Sequence, residues 1–156
     1  MKQLSKERVS IIPPVLEYAA VSLHLEKMIS PDKKKVLVPV YRFAIKKGEG
    51  DRVGHISFKK GDIPHIVDYA GHIGYEIAPI HRGNGYAAQA CLALKPFVAQ
   101  YYDKVIITTD PDNIASIKTI LNIGAVYLNQ VEIPEDNFMR KDHGHFFKRR
   151  YVWILR

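Results

Sequence analysis

The chain has 156 residues, 47% of them apolar and 25% charged, the balance of one globular domain with a single core. Its one cysteine, Cys91, excludes an intrachain disulfide and any cysteine-held zinc or iron–sulfur centre. Lysine and arginine number 23 against 16 aspartates and glutamates, and the net charge of +7 favours an anionic partner without choosing between nucleic acid, a membrane surface and a phosphorylated small molecule.

No window approaches the roughly eighteen uninterrupted apolar residues of a membrane span, and the start Met1-Lys2-Gln3-Leu4-Ser5-Lys6-Glu7-Arg8 is too polar for a signal-peptide core. The expectation is one unexported, cytoplasmic domain over residues 1–156. After Pro13-Pro14, the residues Leu16, Ala19, Ala20, Leu23 and Met28 recur at helical spacing up to Ser30-Pro31, which predicts an N-terminal helix within residues 1–35. Val36 to Ile45 is rich in β-branched and aromatic residues and ends at the loop signal Lys47-Gly48-Glu49-Gly50-Asp51. Val53 to Phe58 follows at once, and the two runs read as an antiparallel hairpin. Gly71 to Ile77 alternates, with Ile73, Tyr75 and Ile77 on one face and His72, Gly74 and Glu76 on the other, a third strand.

From Tyr86 to about Tyr102 the alanines with Leu92, Leu94 and Val98 predict a helix, which Pro96 should kink or end early. Lys104 to Thr109 is a short apolar run of the kind buried on both faces in a parallel sheet. Asp112 is the expected N-cap of a helix from Asn113 to Asn122 that closes at Gly124. Ala125 to Leu128 and Phe146 to Leu155 read as two final strands joined by a polar loop from Pro134 to Gly144. The order of helix, three strands, helix, strand, helix and two strands makes an α/β class fold, a mixed sheet with helices on its faces.

The most informative stretch is Pro79-Ile80-His81-Arg82-Gly83-Asn84-Gly85-Tyr86-Ala87-Ala88, a strand end passing through two glycines into a helix. Such a junction gathers unpaired backbone N–H groups and the positive helix end in one place, and a phosphate is its natural guest. Here the sequence resembles the GNAT acetyltransferase superfamily, whose pyrophosphate loop reads Arg or Gln, two residues, Gly, one residue, Gly or Ala; Arg82 to Ala87 matches it in full. The flanks agree. Gly74-Tyr75-Glu76-Ile77 stands before the loop with Pro79 at the bend, and Asn113-Ile114-Ala115-Ser116 starts a helix that ends at Gly124-Ala125. The resemblance covers roughly Val36 to the C-terminus.

That resemblance implies an acyl-CoA N-acyltransferase fold with a central, mostly antiparallel sheet, splayed middle strands and flanking helices. It implies acetyl-CoA as co-substrate, an amine acceptor and no metal. Tyr75, Glu76 and Ile77 would pair through their backbone with the pantetheine arm, and Arg82, Gly83, Asn84, Gly85, Tyr86, Ala87 and Ala88 would cradle the pyrophosphate. Asn113 and Ser116 would border the arm from the other side, and residues 1–35 would form an acceptor-side region beside an acetyl-CoA core of 36–156. Glu76 is the expected catalytic base, with His72 and Asp110 as alternatives. A backbone N–H near Ile77 would face the thioester oxygen. Many family members carry a tyrosine seven residues after the Asn; that position here is Ile120, and Tyr127 or water would have to serve.

A tight strand-to-helix turn that binds nothing also accounts for a glycine pair, but three separate segments fit at the right spacing. Gly83-Asn84-Gly85-Tyr86-Ala87-Ala88 satisfies the dinucleotide fingerprint G-x-G-x-x-A as well, with Asp103 twenty residues after Gly83. That reading ranks lower, because three strands precede the motif and Asp103 comes before its strand. His143-Gly144-His145 has no carboxylate or cysteine placed beside it by a motif. Lys148-Arg149-Arg150 in an aromatic strand hints at RNA, although an outward strand face explains it more cheaply. The competing reading is a non-catalytic acyl-CoA-binding sensor or RNA-associated adaptor. A homodimer is compatible with either.

Overall fold

Residues 15–29 alternate rather than wind. The computed structural model, which describes residues 15–32 and 34–156 (for His143 the backbone only), forms them into an antiparallel hairpin of β1 (Val15–Tyr18) and β2 (Val21–Ile29) in place of the expected helix. Leu16, Ala19, Ala20 and Leu23 fit the helical period, while Val21 and Leu23 fit the strand period and are buried. Long-range contacts decide between the two. Ala19 takes a left-handed φ of +49° at the turn. Ala20 donates its N–H to Gln89 Oε1 at 3.0 Å and accepts from the Gly48 N–H at 2.8 Å. Residues 1–14 of the expected N-terminal region lie outside the described residues.

β3 (Val40–Lys47) starts just past Pro39 and pairs with β4 (Arg52–Lys59); a π-helical turn (His65–Ala70) then leads to β5 (Ile73–Ile77). The five strands form an antiparallel sheet in the order β1-β2-β3-β4-β5. α1 (Tyr86–Val98) covers one face, built on Ala87, Ala88, Ala90 and Ala93, the strongest helix formers. Pro96 sits in its last turn and the helix closes two residues later, short of the expected Tyr102. Leu23, Phe43, Ile45, Ile56, Phe58 and Ile73 from the sheet meet Ala90, Leu94 and Phe97 from the helix in one core. The Phe97 ring packs edge-on against Phe43 and Phe58, with centroids 5.6 Å and 6.0 Å apart.

β6 (Lys104–Thr109), β7 (Val126–Glu132) and β8 (Phe147–Ile154) form a second antiparallel sheet in the order β6-β8-β7. α2 (Ile114–Asn122) lies between β6 and β7 in the chain, and Trp153 on β8 donates its indole N–H to Ile123 O at 3.1 Å, tying sheet to helix end. The segment read as a polar loop from Pro134 to Gly144 contains α3 (Phe138–His143). The expected class holds: a mixed α/β fold with a mostly antiparallel sheet and flanking helices. One detail differs, because β6 has no parallel ladder and is not buried on both faces. It pairs antiparallel with β8, and its residues alternate between buried and partly exposed.

Two sheets rather than one result because β5 and β6 are joined at a single place. His72, immediately before β5, donates its N–H to Ile106 O at 2.8 Å, and the Ile106 N–H donates to His72 Nδ1 at 3.0 Å. An imidazole nitrogen thus stands where a strand carbonyl would continue the ladder. Beyond His72 the two strands part.

Candidate functional site

The register of β4 and β5 determines which backbone groups face the opening. The Lys59 N–H donates to His72 O at 2.7 Å and the Ala78 N–H to Val53 O at 2.8 Å. The antiparallel alternation therefore turns the N–H and C=O groups of Gly74 and Glu76 toward β4, and those of Ile73, Tyr75 and Ile77 toward the gap. This corrects the expectation for Glu76, whose backbone is spent on His55. Close approach of the two strands is permitted at Gly54, where a Cβ would collide with the Glu76 carbonyl.

β5 passes through a 3₁₀ turn (Pro79–His81) into the glycine loop. Arg82 Nε donates to Ile77 O at 2.9 Å, occupying the last outward carbonyl of β5 and pinning the loop to the strand end. Asn84 Nδ2 donates to His81 O at 3.0 Å. Gly83 and Gly85 take φ of +85° and +74°, and nothing lies within 4 Å of a Cβ built at Gly83. No side chain caps α1, and its first turn carries no acidic residue. The N–H groups from Gly83 to Ala88 therefore line an open, electropositive collar. These residues fit a diphosphate: the collar donates, repels no anion and has no side chain at its glycines. The loop follows the fifth strand of an antiparallel sheet, which is not where a dinucleotide motif opens its first βαβ unit.

On the other side of the gap, the N-cap of α2 is Asn113, not Asp112: Asn113 Oδ1 accepts from the Ser116 N–H at 3.1 Å. The Ser116 hydroxyl bonds the Tyr75 hydroxyl at 2.8 Å, so the side chains of two residues expected at the cofactor bridge β5 and α2, while the Tyr75 backbone, the part expected to meet the arm, is left toward the gap. Burial holds the Tyr75 phenol well above its ordinary value, against the opposing pull of Ser116. Ile120 is fully buried, and Tyr127 lies on β7, at the far edge of the second sheet from β6, so neither faces the gap. Cys91 is buried within α1, its thiol pushed up to about 12 by desolvation, a bystander to any chemistry.

The side chain of Glu76 stands on the face opposite α1 and is 67% exposed, with Oε2 4.0 Å from His55 Nε2. Arg42 Nη2 lies 3.2 Å from His55 Nδ1. A guanidinium only donates, so Nδ1 is the acceptor and Nε2–H points at Glu76. Burial, then the Arg42 charge, lowers the His55 pKa, which keeps the ring neutral at physiological pH. The row continues to Glu26, 3.8 Å from Arg42 Nε and held by Arg52 at 2.8 Å and 3.1 Å. The alternative bases are engaged elsewhere. His72 is 3% exposed with Nε2 on Asp62 at 2.9 Å and Nδ1 on Ile106, and Asp110 accepts from Lys148 Nζ at 2.7 Å with His145 Nε2 at 3.6 Å.

Lys59, which sequence reading missed, lies on the same face: a Cβ at Gly74 would stand 3.2 Å from its Nζ. Only its position in the strand alternation, on the face of Gly74 and Glu76, would have signalled it. The cations of the C-terminal strand are committed internally. Lys148 is paired with Asp110, Arg149 lies 4.6 Å over the Tyr127 ring, and Arg150 donates to Val67 O at 3.0 Å and Asn129 Oδ1 at 3.2 Å. No helix among the described residues is long and apolar enough to cross a membrane.

A family model described as an acetyltransferase (GNAT) domain matches residues 4–126. No curated protein matches the chain by sequence. Among solved structures, the chain is similar to the microcin C7 self-immunity acetyltransferase MccE in complex with acetyl-CoA and AMP, at 20% identity and a TM-score of 0.54, covering 74% of this chain and 61% of that one. A GNAT-family acetyltransferase from Bacillus anthracis is similar at 24% identity and a TM-score of 0.57, covering 73% and 66%. An acetyl transferase from Salmonella typhimurium that modifies the N-terminal serine of ribosomal protein L7/L12 is similar at 19% identity and a TM-score of 0.57, covering 74% and 63%. The chain thus spans less than two thirds of the length of each, and the likeness is one of fold.

Proposed function

The chain belongs to the GNAT acetyltransferase family, and on that premise we propose that it binds acetyl-CoA along the open edge of β5 and transfers the acetyl group to an amine. The carrying observation is the uncapped collar of N–H groups from Gly83 to Ala88, set directly beyond the outward-facing backbone of Tyr75 and Ile77. In this reading the collar holds the pyrophosphate, and Arg82 keeps the loop against the strand while presenting charge to it. Tyr75 and Ile77 offer main-chain groups to the pantetheine arm, and Asn113 and Ser116 border the arm from α2.

Acetyl-CoA supplies an activated thioester when bound. The Ile77 N–H polarises its carbonyl. Glu76 takes the proton that the acceptor nitrogen gives up as the carbon–nitrogen bond forms. The carbon–sulfur bond breaks and the coenzyme leaves as a thiol after gaining one proton, so the reaction balances as amine plus thioester to amide plus thiol. His55 turns its Nε2–H toward Glu76 at 4.0 Å, and Arg42 fixes that tautomer.

The test pairs calorimetry of coenzyme A binding with a thiol-release assay over a panel of amines. The expected outcome is binding that Gly85→Val weakens about tenfold or more, since a β-branched residue is strained at φ of +74°, together with thiol release by at least one amine. No heat of binding on the folded chain refutes the proposal. Binding without thiol release favours a non-catalytic acyl-CoA-binding module, a reading that draws on the buried Ile120 in place of the family tyrosine.

A further inference from the structure

Where the start of β3 and the end of β4 meet the π-helical turn, α3 and β8 lies a cavity of about 430 Å³. Lys59 stands in its wall over β5, and Lys148 stands in its wall beside Asp110 at the end of β6. Much of the remaining surface is apolar, with Val38, Ile66, Phe138 and Met139 contributing. Among the described residues, its lining includes five basic or imidazole side chains and no acidic one.

The charges can be followed one at a time. Lys35 pairs with Asp142 at 3.0 Å, Lys148 pairs with Asp110 at 2.7 Å, and His145 stands 3.6 Å from the same aspartate. His65 Nδ1 accepts from Asn137 Nδ2 at 3.2 Å, and burial lowers its pKa, so it adds no charge at neutral pH. Lys59 has no ion-pair partner among the described residues, and burial with Lys148 nearby pushes its ammonium down to about 8. One uncompensated positive charge in an apolar chamber calls for one negative charge.

Position then narrows the ligand. Lys59 Nζ hovers over Gly74, and Glu76 is the next residue of β5 on that face, about 7 Å further along the strand. A carboxylate on Lys59 with an amine on the adjacent carbon would carry that amine toward Glu76 and the outward groups of Tyr75 and Ile77. The apolar body of the same molecule would fill the space between Val38, Ile66, Phe138 and Met139. We propose that this cavity is the acceptor pocket and that it selects a free α-amino acid with an apolar side chain, held by its carboxylate on Lys59. A polyamine brings no carboxylate, and a peptide N-terminus has an amide in its place.

This assignment rests on the transferase reading, and the experiment separates the two. Thiol release is measured for the full chain with leucine, methionine and phenylalanine, with their carboxamides, and with spermidine. Calorimetry follows coenzyme A and, separately, the three amino acids in its absence. The expected kcat/KM favours each free acid over its amide about tenfold or more. Lys59→Met abolishes that preference, Lys59→Arg keeps it, and coenzyme A binds all three proteins alike. Amides used as well as acids by the unaltered protein, or an acid preference that survives in Lys59→Met, overturns the pocket assignment while leaving the transferase reading intact. Lys59-dependent amino-acid binding by a chain that does not bind coenzyme A upholds the pocket and overturns the transferase reading instead.

Discussion

Replacing Lys59 by methionine keeps most of the side-chain length and removes the charge, which isolates the cost of holding an ammonium in the cavity wall. The Lys59 ammonium titrates at about 8 instead of 10.5, a displacement worth about 3 kcal/mol. Lys148 contributes to this cost alongside burial. The folded chain holds this proton less tightly than the unfolded chain does. The penalty is therefore complete below about pH 8 and fades as pH rises from there through the unfolded value, where both states become neutral. Lys59→Met should be more stable than the unaltered protein by about 3 kcal/mol at about pH 7, and by only about 1 kcal/mol at about pH 9.5. Urea unfolding at the two pH values measures the difference, with unchanged m-values as the check that only stability moved. A difference that does not shrink with pH, or a variant less stable than the parent near neutrality, would refute the reasoning. Destabilisation near neutrality would mean that Lys59 has a compensating partner.

Three further outcomes are expected. Gly54→Ala drives a methyl group into the Glu76 carbonyl; it should lower stability by about 2 kcal/mol or more and weaken coenzyme A binding with it, read by thermal melting and calorimetry. His72→Leu leaves the Ile106 N–H without its acceptor and should cost about 1 to 3 kcal/mol, with faster hydrogen exchange at Ile106 while the amides of α1 remain protected. Glu76→Gln should reduce kcat about 100-fold or more at unchanged coenzyme A affinity, because its side chain stands on the exposed face of β5 and its backbone pairs with β4; an unchanged kcat would remove Glu76 as the base.

How much of this was legible before folding differs by element. The glycine loop was readable because its requirement is local: Gly83 and Gly85 take positive φ and open a helix within a few residues. The hairpin β3–β4 was readable for the same reason, from β-branched runs on either side of a turn signal. The β1–β2 hairpin was not, since its turn residues Tyr18-Ala19-Ala20-Val21 carry no turn chemistry and are held by Gln89 and Gly48. Near the gap, sequence placed Glu76 on the correct face but could not tell which backbone groups of β5 turn outward, because that depends on which β4 residues they pair with.

Local sequence thus determined the collar of N–H groups at the start of α1, the alternation of β5 and the class of fold, each fixed by dihedral preference or by hydrophobic period over a few residues. Tertiary structure alone decided that His72 rivets β5 to β6 and so sets where they part, that Asp110 is committed to Lys148, and that Lys59 stands over Gly74 with no ion-pair partner among the described residues. The physical reason is that a side chain's charge state and hydrogen-bond partners depend on groups brought close by packing, often from distant parts of the chain, and no periodicity along the chain records them.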